Sequence, residues 1–254
     1  MRERSAWTLA SIAAGALLIV AWQAIANAQL VSPVFLPGPD RAWAALMRGF
    51  SNGTLGPKLA GTLERMLIGW LLASLAGVAL GAAIGTSPAM RAYLGPTLEF
   101  LRPLPASAVI PVAIAVLGLT DAMVLFVIAF GALWPMLLAT VHGFAALEPR
   151  LVEVAAALRL SRRETILKIA LPSALPDIFA GLRLGLTVSL ILAVVGEMLA
   201  GRNGLGDWIL LSSRSFRSAD LYAGVILLGL IGYVSAQLLS LIEARVLAWT
   251  KAGQ

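Results

Sequence analysis

The stretch MLIGWLLASLAGVALGAAIGTSPAM, residues 66–90, carries no charged residue and decides the fold class. A helix needs about 20 mainly apolar residues to cross the hydrocarbon core of a bilayer. The whole chain of 254 residues is 59% hydrophobic and only 13% charged, whereas soluble domains carry about 25% charged residues. The composition therefore predicts an all-α, polytopic membrane protein.

Charge-free windows and one further segment define about six predicted transmembrane helices. They are residues 5–32, 66–90, 103–120, 122–141, 178–199 and 221–242. The fifth contains Arg183 and Glu197, which we place near its two ends, where long side chains can reach the interface. Prolines interrupt the third, and a membrane helix tolerates them when its neighbours satisfy the backbone.

We expect a single transmembrane domain over residues 1–254, with a core at about 60–250 and an extra N-terminal helix at about 5–30. Lysine and arginine favour the cytoplasmic side of a membrane. The most basic loop, residues 150–168, lies between the fourth and fifth predicted spans. Placing this loop in the cytoplasm puts both termini there as well.

The first segment also has features of a cleavable signal peptide. Arg2 and Arg4 precede its apolar run, and the sequence Ala-Asn-Ala follows at 26–28. The run is longer than the apolar region of about 7–15 residues in such peptides, and Trp22 lies near its far end. We therefore expect this helix to be retained.

Small residues recur every four positions in the second predicted span, at Gly69, Ala73, Gly77, Gly81 and Gly85. Such a stripe lets the backbone of a neighbouring helix approach closely. We expect ordinary helix packing within one subunit. A seam between two copies of the chain is the alternative.

The central sequence LVEVAAALRLSRRETILKIALP, residues 151–172, places a cluster of charges inside this apolar chain. Glu148-Pro149 predicts a helix start just before it, because proline is favoured at the first helical position. This helix should run to about Leu158. Its apolar stripe would need a partner to cover it, which disfavours a simple solvated loop.

A second short helix should follow in the same loop. Ser161 and Glu164 fit a capping box, in which each side chain bonds the other residue's backbone N–H. The helix should stop before Pro172. The loop at about 148–172 is thus predicted to hold two amphipathic helices joined by a tight turn.

This loop resembles the EAA loop in permease subunits of bacterial binding-protein-dependent ABC importers. The family pattern begins Glu-Ala-Ala, continues to a Gly and ends Ile-x-Leu-Pro. The residues that match are Glu153, Ala155, Ser161, Ile169, Leu171 and Pro172. The sequence departs from the pattern at Val154, where Ala is usual, and at Arg159, where Gly usually stands.

Shorter matches resemble the sulfonate, taurine and nitrate branch of that family. They are Phe35-Leu-Pro-Gly-Pro39, Thr62-Leu-Glu-Arg65, Arg102-Pro-Leu-Pro105, Gly196-Glu-Met198 and Gly204-Leu-Gly206. A Trp-Phe-Gly common in the branch reads Val116-Leu117-Gly118 here. The resemblance implies import of a sulfonate, nitrate or similar small anion, with an uncharged vitamin precursor as the alternative.

The resemblance also implies the partners. The chain would be a permease and not an enzyme, and would bind no cofactor itself, since ATP and Mg²⁺ belong to two cytoplasmic ATP-binding subunits. In agreement, the sequence has no G-x-x-x-x-G-K-[ST] phosphate loop. The other expected partners are a second copy of the chain, a periplasmic or lipid-anchored solute-binding protein and the lipid of the bacterial inner membrane.

Two sets of site residues follow from the resemblance. The residues expected to couple to the ATPase are Glu153, Ala155, Arg159, Ser161, Arg162, Arg163, Glu164, Ile169, Leu171 and Pro172. The candidate gate residues are Glu197, Gly204 and Gly206, in or near a turn or short re-entrant segment on the outer side. For Glu197 the alternative is a structural ion pair with Arg202.

Other functional classes fit the sequence less well. Basic residues scattered between apolar spans disfavour nucleic-acid binding, and a single His142 with no Cys gives no metal-site pattern. An ion-coupled secondary transporter would usually show inverted repeats and ionisable residues at the membrane midplane. An intramembrane hydrolase would need a motif such as G-x-S-x-G, which the sequence lacks.

Overall fold

The computed structural model describes residues 2–101 and 104–251, and these ranges contain helices and no strand. The helices in chain order are α1 (Arg2–Asn27), α2 (Pro39–Ser51), α3 (Leu55–Gly85), α4 (Pro88–Leu101), α5 (Ala106–Leu117), α6 (Asp121–Ala145), α7 (Pro149–Ala157), α8 (Arg162–Thr165), a π-helical turn (Ile166–Ala170), α9 (Leu171–Ala200), α10 (Leu205–Arg214), α11 (Ser218–Val246) and α12 (Ala248–Lys251). The all-α prediction is confirmed.

Among the described residues, four helical stretches are long and apolar enough to cross a membrane. These are α3, α6, α11 and the continuous stretch Arg162–Ala200 that includes α9. Helices α4 and α5 meet the same criterion only as a pair, and they are bent by 88° relative to each other. The apolar part of α1, Ala13–Asn27, is shorter. The structure thus gives four or five crossings, and the count of six stays a prediction.

The third predicted span, residues 103–120, is not one straight transmembrane helix. Pro105 is the N-cap of α5, and this helix has 12 residues, or about 18 Å of length. That is well short of a hydrocarbon core of about 30 Å. Pro105 lacks the N–H that would continue a helix from Leu101 into α5. Arg102 and Pro103 lie outside the described residues.

The core of the protein is formed by α3, α6 and α9. Each glycine of the small-residue stripe on α3 packs against a residue of α6. The pairs are Gly69 with Ile128, Gly77 with Met136, Gly81 with Thr140, and Gly85 with Phe144. A Cβ atom on these glycines would lie only 2.4–3.0 Å from the α6 side chains. The stripe therefore packs within one subunit, as expected, and is not a seam between copies.

Two predicted boundaries are wrong. Helix α3 begins at Leu55 rather than Met66, and so includes charged residues that are paired inside the protein, as described below. The second loop helix does not stop before Pro172. In the π-turn the Leu171 N–H donates to the Ile166 carbonyl, and Pro172 falls in the first turn of α9, where its missing N–H is tolerated.

The longer α9 also corrects the position of Arg183. The predicted span 178–199 placed this residue near a helix end, but α9 starts at Leu171. Arg183 therefore lies about 18 Å from one end of α9 and about 26 Å from the other. It is a charged residue well inside an apolar helix.

Candidate functional site

The candidate residues form two groups at opposite ends of the core. Helix α6 begins at Asp121 in the first group and ends at Ala145, just before the charged loop. Helix α9 runs back from the loop to Glu197. The two groups are described here as the ion-pair cluster (Thr62, Arg65, Asp121, Glu197 and Arg202) and the loop (residues 148–172).

Glu197 is the centre of the ion-pair cluster and is fully buried. Its Oε2 accepts hydrogen bonds from the Thr62 hydroxyl at 2.9 Å and from the Gly206 N–H at 3.0 Å. Its Oε1 accepts a hydrogen bond from Arg65 Nη1 at 3.0 Å. A buried carboxylate is costly unless it is paired and hydrogen-bonded, and these three donors meet both conditions.

Arg65 joins Glu197 to a second carboxylate. Its Nε donates to Asp121 Oδ1 at 2.8 Å, and its Nη1 also reaches the Asn203 carbonyl at 3.2 Å. One guanidinium thereby links α3 to α6, to α9 and to the turn after α9. Its planar set of donors suits this shared role better than a lysine ammonium would.

The alternative interpretation of Glu197, a structural ion pair with Arg202, is wrong in its partner. The Arg202 guanidinium pairs with Asp121, with Nε at 3.0 Å from Oδ1. Only the Arg202 backbone N–H reaches Glu197, at its carbonyl oxygen. The hydrogen bond with Asp121 raises the pKa of Arg202 above its usual value. Arg65, on a different helix, takes the place that the sequence suggested for Arg202.

Gly204 and Gly206 let the turn after α9 close over Glu197. A Cβ atom on Gly204 would lie 2.2 Å from the Glu197 carboxylate, and one on Gly206 would lie 2.2 Å from the Val194 carbonyl. The adjacent Leu205 N–H donates to the Thr62 hydroxyl at 2.9 Å. The predicted glycine-rich segment is thus a turn leading into α10, and only glycine fits at these two positions.

Sequence reasoning did not select Thr62, Arg65 or Asp121 as site residues. A usable signal was present, because Thr62 and Arg65 are three positions apart and so share one face of a helix. In addition, each charge at the end of an apolar span needs a partner. What the sequence could not supply was the pairing across 132 positions between Arg65 and Glu197.

In the loop, Arg159 has a left-handed backbone, with φ +49°. The Arg159 N–H donates to the Ala156 carbonyl and the Leu160 N–H to the Ala155 carbonyl, each at 3.0 Å. This pattern is a Schellman motif, in which glycine usually occupies the left-handed position. The structure therefore explains why the family pattern has Gly where this chain has Arg159.

The start of α8 confirms the predicted capping box. The Glu164 N–H donates to Ser161 Oγ at 3.3 Å, and the Ser161 N–H donates to Glu164 Oε2 at 3.0 Å. Lys168 also pairs with Glu164, at 3.0 Å. These bonds fix α8 directly after the Arg159 turn.

Much of the loop surface is exposed and apolar. Val152, Val154, Leu158 and Leu167 are 48–64% exposed, whereas Ala155 is buried. The predicted apolar stripe of α7 is therefore only partly covered: Ala155 is buried, whereas Val154 and Leu158 are exposed. Of the other coupling candidates, Glu153, Arg159, Ser161, Arg162 and Arg163 are exposed, while Glu164, Ile169, Leu171 and Pro172 are partly buried. Within the described residues, Glu153 makes no ion pair with Arg162 or Arg163.

Replacing Arg159 with Gly should stabilise the loop. A left-handed backbone disfavours a residue with a Cβ atom by about 1 kcal/mol, so Arg159→Gly should raise the thermal midpoint of the purified protein. Arg159→Ala is the matched control, since it removes the charge but keeps the Cβ atom. An equal rise in both variants would mean that charge, and not backbone conformation, limits stability here.

Replacing Arg65 should cost far more stability than replacing Arg202. Arg65→Leu leaves the buried Glu197 charge unpaired, a loss of about 3–5 kcal/mol in the free energy of unfolding. Arg202→Leu breaks a half-exposed pair worth about 0–1 kcal/mol. Denaturant unfolding in detergent measures both. Adding Glu197→Gln to Arg65→Leu should recover much of the loss, and no recovery would show that Arg65 acts only through packing.

Comparison with known proteins identifies the family. The profile of the binding-protein-dependent transport system inner membrane component matches residues 73–248. The chain is 31% identical to the taurine transport system permease protein TauC of Escherichia coli K12, over 94% of this chain and 89% of that protein. It is 30% identical to the putative aliphatic sulfonates transport permease protein SsuC of Bacillus subtilis 168, over 98% and 90%. It is also 30% identical to the nitrate import permease protein NrtB of Leptolyngbya laminosa, over 91% and 84%. The chain therefore belongs to the family of inner-membrane permeases of binding-protein-dependent ABC importers.

Proposed function

We propose that this permease forms the membrane path for a small anion that a separate binding protein delivers. The observation that carries this proposal is the similarity along almost the whole chain to permeases named for taurine, sulfonates and nitrate. Another relative, 30% identical over 84% of the chain, is the bicarbonate transport system permease protein CmpB of a Synechocystis strain. Their named solutes share an anionic group.

We further propose that the assembly contains two copies of this chain and two cytoplasmic ATP-binding subunits. The loop (residues 148–172) would dock on the ATPase through its exposed apolar residues Val152, Val154, Leu158 and Leu167. Exposed apolar surface of this kind marks protein interaction sites. Arg162 and Arg163 would add charge contacts at its rim. The loop then lies in the cytoplasm, in agreement with its excess of basic residues.

The helical continuity from loop to core suggests how ATPase movement reaches the solute path. Residues Arg162–Ala200 form one uninterrupted helical stretch, about 58 Å long. The first turn of this stretch belongs to the loop, and Glu197 lies in the last turn of the stretch. A displacement of the loop would therefore be transmitted through the π-turn and along α9 to the ion-pair cluster.

Glu197, Gly204 and Gly206 would form part of a gate at the outer end. The turn that contains both glycines is held against α9 and α3 by the Glu197 carboxylate. Opening it would require breaking hydrogen bonds to a buried charge, which is unfavourable unless another interaction replaces them. Contact with the loaded binding protein would supply that interaction.

Solute-stimulated ATP hydrolysis by the assembled complex in lipid vesicles tests the proposed function. The complex is mixed with its binding protein and with taurine, an alkyl sulfonate, nitrate or bicarbonate, each at equal concentration. Stimulation by at least one anion, and none by uncharged vitamin precursors, is expected. Stimulation only by an uncharged solute would contradict the proposal.

Reversing the charge of Glu153 should uncouple the complex. Glu153 is exposed on α7 and has no ion pair with the neighbouring arginines, so Glu153→Lys should weaken ATPase retention without unfolding the membrane domain. An exposed charge contributes only about 0–1 kcal/mol to stability. Uptake, ATPase co-purification and membrane abundance are measured together, with Glu99→Lys on α4 as the control outside the loop. Normal uptake and retention in Glu153→Lys would show that this carboxylate makes no contact.

A further inference from the structure

One exposed face of α9 is partly polar. Ser173, Ala180, Arg183 and Thr187 are all exposed, and their spacing of seven, three and four positions places them on one side of the helix. The opposite side of α9 is buried in the core. The name polar face is used for those four residues; Leu184 and Ile191, which are 57% and 56% exposed, lie on the same side of the helix.

Helix α3 provides a contrast. Its exposed residues include Leu67, Leu71, Leu72 and Leu75, which are 42–72% exposed. Large apolar side chains are what a surface in contact with lipid requires, because hydrocarbon cannot solvate polar groups. The exposed side of α9 differs because Arg183 and Thr187 lie beside its apolar residues Leu184 and Ile191, although α9 is an equally apolar, membrane-length helix.

The polar face extends deep along α9. Measured along α9 from Glu197, Thr187 lies about 15 Å and Arg183 about 21 Å into the helix. If the ion-pair cluster marks one boundary of a hydrocarbon core of about 30 Å, Thr187 is near its middle. Charged residues at such depths face the protein interior or a water-filled cavity and mark the paths of substrates and ions.

Arg183 is held in place but is not enclosed. Its Nη2 donates to Glu243 Oε2 on α11, and the side chains are 50% and 24% exposed respectively. A guanidinium has five N–H donors, so the half-exposed head of Arg183 can also present donors to a solute. The Glu243 carboxylate offsets the positive charge of Arg183. An anion that reaches Arg183 would therefore be bound weakly enough to leave again.

We propose that the polar face of α9 lines the water-filled solute path and that Arg183 makes this path selective for anions. The inference rests on the proposed function, since it assigns residues to the path of an anion importer. It places the path along the same helix that connects the loop to the ion-pair cluster.

Cysteine labelling tests access to water. The chain has no cysteine, so a single introduced cysteine is the only site in this chain that the reagent can label. Thr187→Cys is compared with Leu75→Cys, which lies about 15 Å along α3 from Arg65 and so at a similar depth. The complete transporter in vesicles is treated with a charged, membrane-impermeant methanethiosulfonate. Thr187→Cys should react at least about tenfold faster, because thiolate forms in water and not in lipid. Equal rates, whether fast or slow, would overturn the proposal.

The charge of the labelling reagent tests the role of Arg183. In the Thr187→Cys background, the ratio of the rates with anionic and cationic reagents measures the local potential. Arg183→Gln should lower this ratio and Glu243→Gln should raise it, each by roughly 3- to 10-fold for a unit charge at this range. An unchanged ratio in both would overturn the anion-selective role. The labelling experiment requires no transported solute. A negative labelling result would therefore contradict the path assigned to α9, whereas a lack of anion-stimulated ATP hydrolysis in the unmodified complex would contradict the proposed function.

Discussion

The buried carboxylate of Glu197 imposes a constraint that organises one whole end of the protein. A charge removed from water has to be met by donors from the protein, and here those donors come from α3 and from the start of α10. Because Arg65 also binds Asp121, α6 is held by the same side chain. The cluster therefore fixes the position of three core helices relative to one another along their axes.

That fixed alignment is consistent with the packing farther along the core. Small residues at every fourth position of α3, four glycines and Ala73, must meet suitable residues of α6, and a shift along the axis would place Cβ atoms of α6 against larger α3 residues. The observed pairs run from Gly69 with Ile128 to Gly85 with Phe144. Close packing of this type depends on small residues at each level. The ion-pair cluster sets the alignment of the helices along their axes, and the small-residue stripe lets the aligned helices pack closely.

The sequence predicts these features to different extents. Charge-free windows locate α3, α6 and α11, and the apolar segment 178–199 locates α9, because the need for about 20 apolar residues is a local property. The capping box at Ser161 and Glu164 is also local, and it is confirmed. The partner of Glu197 depends on three-dimensional packing, so the sequence indicates the nearby Arg202, whereas the structure has Arg65. The continuation of the helix through Pro172 depends on a π-turn, for which the sequence gives no clear signal.

The geometry of α9 connects the polar face with the ion-pair cluster. Arg183 and Glu197 are nearly four full turns apart, since a helix has about 3.6 residues per turn, and so they project from the same side. On that side Arg183 is exposed, whereas Glu197 is covered by Thr62, Arg65 and the turn containing Gly204 and Gly206. Leu190 and Val194 lie between them on this side of α9, so the exposed guanidinium and the covered carboxylate are two separate polar positions on one helix. The turn containing Gly204 and Gly206 covers this end of α9 and is held there by a hydrogen bond to the Glu197 carboxylate. Because α9 is continuous with the loop, a displacement of the loop along the helix axis would act on the end that this turn covers.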